Sequence, residues 1–376
     1  MAGIYIHIPF CRTRCIYCDF HSGTDMSVQE RYIDAVCDEL DMRIGELHGE
    51  PINTLYIGGG TPSQLSPLAL DRLFARLSQH IDWKNCHEVT IECNPDDMKS
   101  DYIAHLRTLP INRISMGIQS FDDNDLQFLR RRHTAQAALE AIVQCQKAGY
   151  DNMSIDLIYG LPGQSLDAWE KNIDTALSTG IQHISAYALI YEEGTALMQL
   201  KKRGEVQECS EELSLSMYSR LIDRLEAAGY HQYEISNFAL PHCEAQHNSC
   251  YWNDTHYLGV GAAAHSYDGA TRRYNPADTR AYIESIEQKS CCYEEEQLSE
   301  HDRYNDMLLT RLRTRIGINE EHIATQFSPH LIQYMYRMAT PHLTSGTMER
   351  CDGYLRITRK GLFISDSIIS DLFAIE

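Results

Sequence analysis

Nowhere in this chain of 376 residues does an apolar run approach the roughly 18 residues that a membrane helix needs, so no membrane insertion is expected. A charged leader is missing too. Met1-Ala2-Gly3 runs straight into a strand-like stretch, and the chain reads as cytoplasmic, without a signal peptide. Positive charge is scarce: 33 Lys and Arg stand against 53 Asp and Glu, a formal net charge of -20. A surface of that sign repels phosphate backbones, which argues against nucleic acid as a partner. Internal repeats and low-complexity segments are lacking as well. A disulfide framework is not expected of 13 cysteines, an odd number, in a cytosolic chain of this length. Scattered ones such as Cys37 and Cys145 fall in helical patterns and read as small buried hydrophobes. At 43% hydrophobic and 23% charged residues the chain is ordinary for a globular protein, with room for one large domain and a smaller one.

The first 230 residues alternate in type. Strand-like runs lie at 3–9, 52–58, 87–93, 111–117, 152–160 and 183–190, and helical patterns at 28–44, 67–80, 99–109, 135–149, 167–179 and 211–229. Tyr32, Val36, Leu40 and Ile44 share one face of the first helix, and Gly149 and Gly229 read as helix stops. Alternating strands and helices predict a parallel sheet with helical crossovers, either a partial (β/α)6 TIM-like barrel or a doubly wound sheet. Unusual residues gather at the carboxyl ends of the strands: a cysteine loop after the first, GGGTP (58–62) after the second, Glu92 and Asn94-Pro95 at the third, Gln119 at the fourth, YGLPG (159–163) after the fifth, and Tyr187 in the sixth. A β/α barrel carries its active site there.

The cysteine loop reads CRTRCIYCDF, with Cys11, Cys15 and Cys18 at C-x3-C-x2-C spacing and Phe20 where a fourth cysteine could have followed. Three soft thiolates suit a metal. Zinc would take a fourth ligand, with His7 and His21 nearby. A [4Fe–4S] cluster held by three thiolates leaves one iron open for a ligand. Three unligated cysteines are the bland alternative.

CRTRCIYC, with the aromatic Tyr17 just before the third cysteine, resembles the signature of the radical S-adenosylmethionine (SAM) superfamily, and GGGTP resembles its glycine motif. The resemblance implies that Cys11, Cys15 and Cys18 hold a [4Fe–4S] cluster whose open iron chelates SAM. It implies SAM contacts from Tyr5, Tyr17, Gly59, Gly60, Thr61, Glu92, Gln119, Arg131 and Asp156. Tyr5, Gly59, Glu92 and the loop around His265 would lie near the cluster-bound SAM. The rest, with Ala188, would face the second SAM region of a related dehydrogenase. Without the resemblance, Arg131 in Arg130-Arg131-Arg132 reads as a solvated helix end.

YIHIPFC (5–11), YIGGGTPS (56–63), MGIQSF (116–121), DLIYGLPGQ (156–164) and GVGAAAHS (259–266) place the resemblance in one branch. That branch holds oxygen-independent coproporphyrinogen III dehydrogenase, a decarboxylating enzyme of haem biosynthesis, and haem chaperones. The dehydrogenase pattern is C-x3-C-x2-C-x-C, with an N-terminal extension. Here Phe20 replaces the last cysteine and Cys11 is only ten residues from the start. HNSCYW (247–252) is similar to the chaperones' H-N-x-x-Y-W motif. The expectation is therefore a haem chaperone that binds haem and delivers it to a client, a respiratory membrane protein reached by transient contact, with the dehydrogenase as the alternative. His247 is the candidate haem ligand, as an imidazole suited to haem iron. His242, Cys243, Cys250, His256 and His265 are nearby alternatives, and a capped turn with a hydrogen-bonded His247 is the bland reading.

The expected organisation is a barrel over 1–235, a connecting segment with HNSCYW over 236–294, and a mostly helical, winged-helix-like domain over 295–376. In the last, helices are expected at 300–313, 319–327, 329–339 and from 359, with a strand at 354–358. The helix at 330–339 holds one arginine and no lysine, too little cation for DNA reading. This domain is expected to cover the barrel mouth or meet a partner, and 293–300 to be a solvated connection.

Overall fold

The computed structural model describes residues 1–375. Six parallel strands pair in sequence order: β1 (Ala2–Ile8), β2 (Ile52–Gly59), β3 (Glu88–Cys93), β4 (Arg113–Gln119), β5 (Met153–Tyr159) and β6 (His183–Ala188). Between them run α1 (Gln29–Arg43), α2 (Pro67–Leu77), α3 (Ser100–Leu106), α4 (Asp123–Phe128), α5 (Ala135–Lys147) and α6 (Leu166–Ser178). Ser66, Thr134 and Ser165 cap α2, α5 and α6 through their hydroxyls, and the left-handed Gly149 stops the chain after α5. This is the partial, TIM-like barrel with helices outside.

The strands alternate in a way that fixes the interior. Ile4, Ile6 and Ile8, Leu55 and Ile57, and Ile155 and Leu157 are fully buried in the core beneath the helices. The intervening positions Tyr5, Tyr56, Glu92, Ser115, Asp156 and Ser185 line a cavity inside the barrel. A closed β/α barrel normally fills that space with apolar layers. A polar lining instead leaves room for a ligand.

After β6 come α7 (Ala196–Lys202), α8 (Glu211–Ala227), β7 (His231–Glu234), β8 (Asn237–Ala239), α9 (Gln246–Cys250), β9 (His256–Val260), β10 (His265–Tyr267), β11 (Thr271–Tyr274), α10 (Thr279–Glu287) and β12 (Glu294–Gln297). Among the described residues they extend the barrel into one open sheet ordered β12-β11-β10-β9-β1-β2-β3-β4-β5-β6-β8-β7. Residues 293–300, expected to be a solvated connection, thus include an edge strand. Glu295 and Glu296 pair in register with Arg273 and Arg272 and form ion pairs across the two strands.

The C-terminal region holds α11 (Glu300–Arg311), β13 (Ile318–Asn319), α12 (Glu320–Gln326), α13 (Pro329–Ser345), β14 (Met348–Cys351), β15 (Tyr354–Ile357) and α14 (Ser365–Leu372), with its own core around Tyr304, Leu331, Met335 and Leu355. The third of these helices runs past residue 339 through Pro341 to the left-handed Gly346, and the last begins at Ser365 rather than 359. Covering the barrel mouth is not what its contacts show. Arg315 N donates to Tyr233 O and Ile235 N to Arg313 O, each at 3.0 Å, while Arg311 pairs with Asp254. These lie on the barrel's flank and base.

Candidate functional site

The cysteine loop leaves the carboxyl end of β1 and is pinned by Cys11 N to Gly23 O at 2.9 Å and Gly23 N to Pro9 O at 2.8 Å. Cys11 is buried; Cys15 and Cys18 are half-buried. Thr61 Oγ1 donates to Cys11 Sγ at 3.3 Å, and Arg131 Nη1 to Cys15 Sγ at 3.4 Å. Burial pushes the Cys11 thiol up and that of Cys18 to about 11. These sulfurs therefore become thiolates only beside positive charge. Phe20 stands exposed beside them, 64% accessible. His7, weighed as a zinc ligand, uses both ring nitrogens, Nδ1 with Tyr5 OH at 2.9 Å and Nε2 with His21 O at 2.9 Å.

Arg131 departs from its reading as a solvated helix end. Helix α4 has already stopped at Phe128, and Arg130 adopts a left-handed φ of 58°. Arg131 then turns inward, donating to Asn94 Oδ1 at 2.7 Å and to Gly117 O. Gln119 also has a left-handed φ, 74°, where the register of β4 on β5 slips. Strain at a non-glycine residue in a cavity wall is characteristic of a ligand site.

The glycine motif is shaped by close packing. Gly59 has φ of 107°, and a Cβ there would lie 2.5 Å from the His7 ring. Gly60 N donates to Ile8 O at 2.8 Å, leaving no space for a side chain. Gly59 N donates to Glu92 Oε2 at 3.1 Å, and Tyr56 OH to Glu92 Oε1 at 2.7 Å. Desolvation holds Glu92 up to about 7 and Asp156, opposite it, up to about 6. Both sit ready to accept hydrogen bonds from hydroxyls of a ligand.

One cavity of about 640 Å³ joins these groups, within the usual range for small-molecule sites. Cys11, Cys15 and Cys18 line it, as do Tyr5, Tyr17, Gly59, Gly60, Thr61, Glu92, Gln119, Arg131, Asp156, Ala188 and His247. His265 does not; it is exposed and stacked on Tyr274 on the outer strands. His247 lies at the opposite end from the cysteines, against Thr54 near the start of β2. Its Nδ1 meets Thr54 Oγ1 at 2.8 Å and its Nε2 meets Tyr251 OH at 3.0 Å. The ring is wholly buried, and desolvation pulls it down to about 3. In this arrangement neither nitrogen is open to a metal. The sequence reading missed Tyr56, Arg113, Ser115, Ser154, His183 and Ser185, which also line the cavity. Polar residues at every second position of buried parallel strands were the signal for them.

Residues 5–176 match the family model of the radical SAM superfamily, and residues 298–364 that of the HemN C-terminal domain. The chain is 31% identical to Heme chaperone HemW of Bacillus subtilis (strain 168), covering 98% of both chains. It is 34% identical to Heme chaperone HemW of Lactococcus lactis subsp. lactis (strain IL1403), over 86% of this chain and 84% of that one. The solved coproporphyrinogen III oxidase (HemN) of Escherichia coli superposes with a TM-score of 0.86 at 21% identity, over 99% of this chain and 90% of that one, a likeness of fold. By its cysteine motif, barrel and full-length relatives, the chain belongs to the radical SAM superfamily and, within it, to the HemW family.

Proposed function

We propose that this chain is a haem chaperone that binds haem and hands it to a haem-requiring client, a respiratory membrane protein met by transient contact, with a [4Fe–4S] cluster and SAM as resident cofactors. Superfamily membership implies the cluster and SAM; the names of its relatives suggest the cargo. The carrying observation is the cysteine loop at the mouth of a polar lumen, with an exposed Phe20 in place of a fourth thiol.

The residues fit the cofactors. Cys11, Cys15 and Cys18 would hold the cluster as thiolates, with Thr61 and Arg131 donating to sulfur and so tuning it. Arg131 Nε, in the cavity wall, is buried without a partner, an open demand that a bound polar ligand would meet. Gly59 and Gly60, whose N–H groups are already engaged, would offer their carbonyls to the ammonium of the methionine end of SAM. Glu92 would accept from its ribose hydroxyls, and Tyr5 would pack beside it. Tyr17, Gln119 and Asp156 would line the space beyond. When bound, the reduced cluster supplies the electron that cleaves SAM. His247 becomes a haem ligand only by releasing Thr54 or Tyr251.

The test is anaerobic. Cluster-loaded protein receives SAM, a strong reductant and coproporphyrinogen III, with 5'-deoxyadenosine and protoporphyrinogen both quantified, and a haem titration follows. Deoxyadenosine without decarboxylation, together with saturable haem binding, is expected. Decarboxylated product over many turnovers would make the protein the dehydrogenase instead. Cys15→Ala should remove the broad visible absorption of the reconstituted cluster; an unchanged spectrum rules out the ligand assignment.

A further inference from the structure

The HNSCYW segment has no task in the cofactor chemistry above, yet it is built into the barrel with unusual thoroughness. Helix α9 carries it across the amino ends of the strands. Glu88, the first residue of β3, accepts from Gln246 N at 2.8 Å and His247 N at 2.9 Å, fixing the helix start. Gly3 makes room for the imidazole: a Cβ there would lie 3.1 Å from His247 Cε1 and 2.9 Å from Thr54 Oγ1. Thr54 and Tyr251 then hold the two ring nitrogens, so the ring plane is fixed from both sides.

What that fixed plane supports is Tyr56. The two rings stack, with centroids 5.4 Å apart and planes inclined by 23°. Tyr56 also stacks with Tyr5 of the neighbouring strand, centroids 6.2 Å apart and planes inclined by 30°, so two rings restrain it. Its hydroxyl donates to one oxygen of Glu92, whose second oxygen takes Gly59 N. A continuous path of contacts therefore runs from the barrel floor, through one tyrosine, to the carboxylate and glycine at the mouth.

We propose that His247 is a positioning residue for SAM: it holds Tyr56, and Tyr56 orients Glu92 toward the ribose. The proposal rests on the reading of Glu92 as a SAM contact. It gives the HNSCYW motif a function independent of haem ligation. It also explains why an imidazole serves better than an aliphatic residue at that floor. A flat ring with two opposed polar edges both stacks under a tyrosine and bonds to neighbours on either side.

The experiment measures SAM affinity by equilibrium dialysis on cluster-reconstituted wild type, Tyr56→Phe, His247→Gln, Tyr251→Phe and the double variant Tyr56→Phe/His247→Gln. Melting curves and cluster absorption check that each is folded and loaded. Tyr56→Phe keeps the stack and removes only the bond to Glu92. It should weaken SAM binding roughly tenfold, the scale of one hydrogen bond to a charged group. His247→Gln should weaken it to a similar degree, and the double variant little more than either single, because both act through one path. Tyr251→Phe, one step further out, should weaken it less. A wild type that binds no SAM defeats the reading of Glu92, and this proposal with it. A wild type that binds SAM, beside a folded His247→Gln of equal affinity, overturns the proposal alone. So does additivity in the double variant. A His247→Gln protein with altered haem absorption and unaltered SAM affinity would assign the histidine to haem instead.

Discussion

Glu92 is the residue whose protonation the fold alters most usefully. Desolvation raises its carboxyl from an ordinary 4.5 to about 7, against the pull of Tyr56 and Gly59, and Asp156 adds to the rise. Tyr5, Tyr56 and Tyr251 also lie close to it, while the Cys93 thiol, the next residue of β3, sits on the strand's opposite face. Between pH 4.5 and 7 the folded chain keeps a proton there that the unfolded chain has released. Its contribution to stability therefore declines as pH rises through that window. Buried histidines act oppositely. His7 and His133, held down to about 4, stay neutral when the unfolded chain would protonate them, so they favour folding as pH rises. Comparing Glu92→Gln with wild type cancels the histidines. The variant should gain stability relative to wild type from pH 4.5 to 7, by up to about 1.4 kcal/mol for each unit of pKa shift. Urea titrations at several pH values measure this; a difference constant with pH would mean the carboxyl is not held up. The same variant should bind SAM more weakly, since the amide keeps only one acceptor oxygen where the carboxylate has two.

At the scale of elements, α9 is only five residues long, and its N-cap residue, Ala245, has no capping side chain. Glu88 supplies the acceptor from a neighbouring strand and also stands 4.0 Å from the buried Arg113, whose Nε has no hydrogen-bond partner. Glu88→Ala would deprive two backbone donors of their acceptor and leave the buried Arg113 guanidinium with the more distant Asp156 as its carboxylate. Losing one partner of a buried ion pair costs about 3–5 kcal/mol, and chemical denaturation should show a loss of that order. A loss below about 1 kcal/mol, the worth of an exposed pair, would mean that water already solvates Arg113. Elements like these mark where sequence reading reaches its limit. The six barrel strands and most of their helices could be read from local signals such as β-branched runs, Ser or Thr caps and glycine stops, whereas the six-residue α4 between β4 and α5 was missed. Strands β7 to β12 could not, being only three to five residues long, and β8 and β9 are further placed by the distant strands β6 and β1; all four residues of β12 are exposed. The cysteine loop and glycine motif were readable as compact spacings. His247 was readable as an imidazole, but the hydroxyl that occupies it, on Thr54, lies 193 residues away in the chain.

The whole molecule must also protect the two ends of an open sheet, since an unpaired strand edge recruits other chains. The ends are handled differently. At β12 the edge is Glu294-Glu295-Glu296-Gln297, whose negative charge repels another strand and adds to a surface of net charge -20. At β7 the strand reads HQYE and lacks such a run of charge. There the C-terminal region supplies cover. Thr314 bridges antiparallel to Glu234, and the hydrogen bonds of Arg313 and Arg315 flank that bridge. Arg359 adds a pair to Asp223 on α8. A chain ending at residue 297 would keep the barrel and its cofactor residues while uncovering β7. It should form the cysteine-bound cluster yet self-associate, seen as oligomers by size-exclusion chromatography with light scattering. Replacing His231 and Gln232, the half-buried residues at the start of β7, by lysine in that shortened chain should restore a monomer, because charge would then guard the second edge as it guards the first. A shortened chain that stays monomeric without those lysines would show that the C-terminal region serves something other than edge cover, and contact with a haem-accepting partner would be the next thing to measure there.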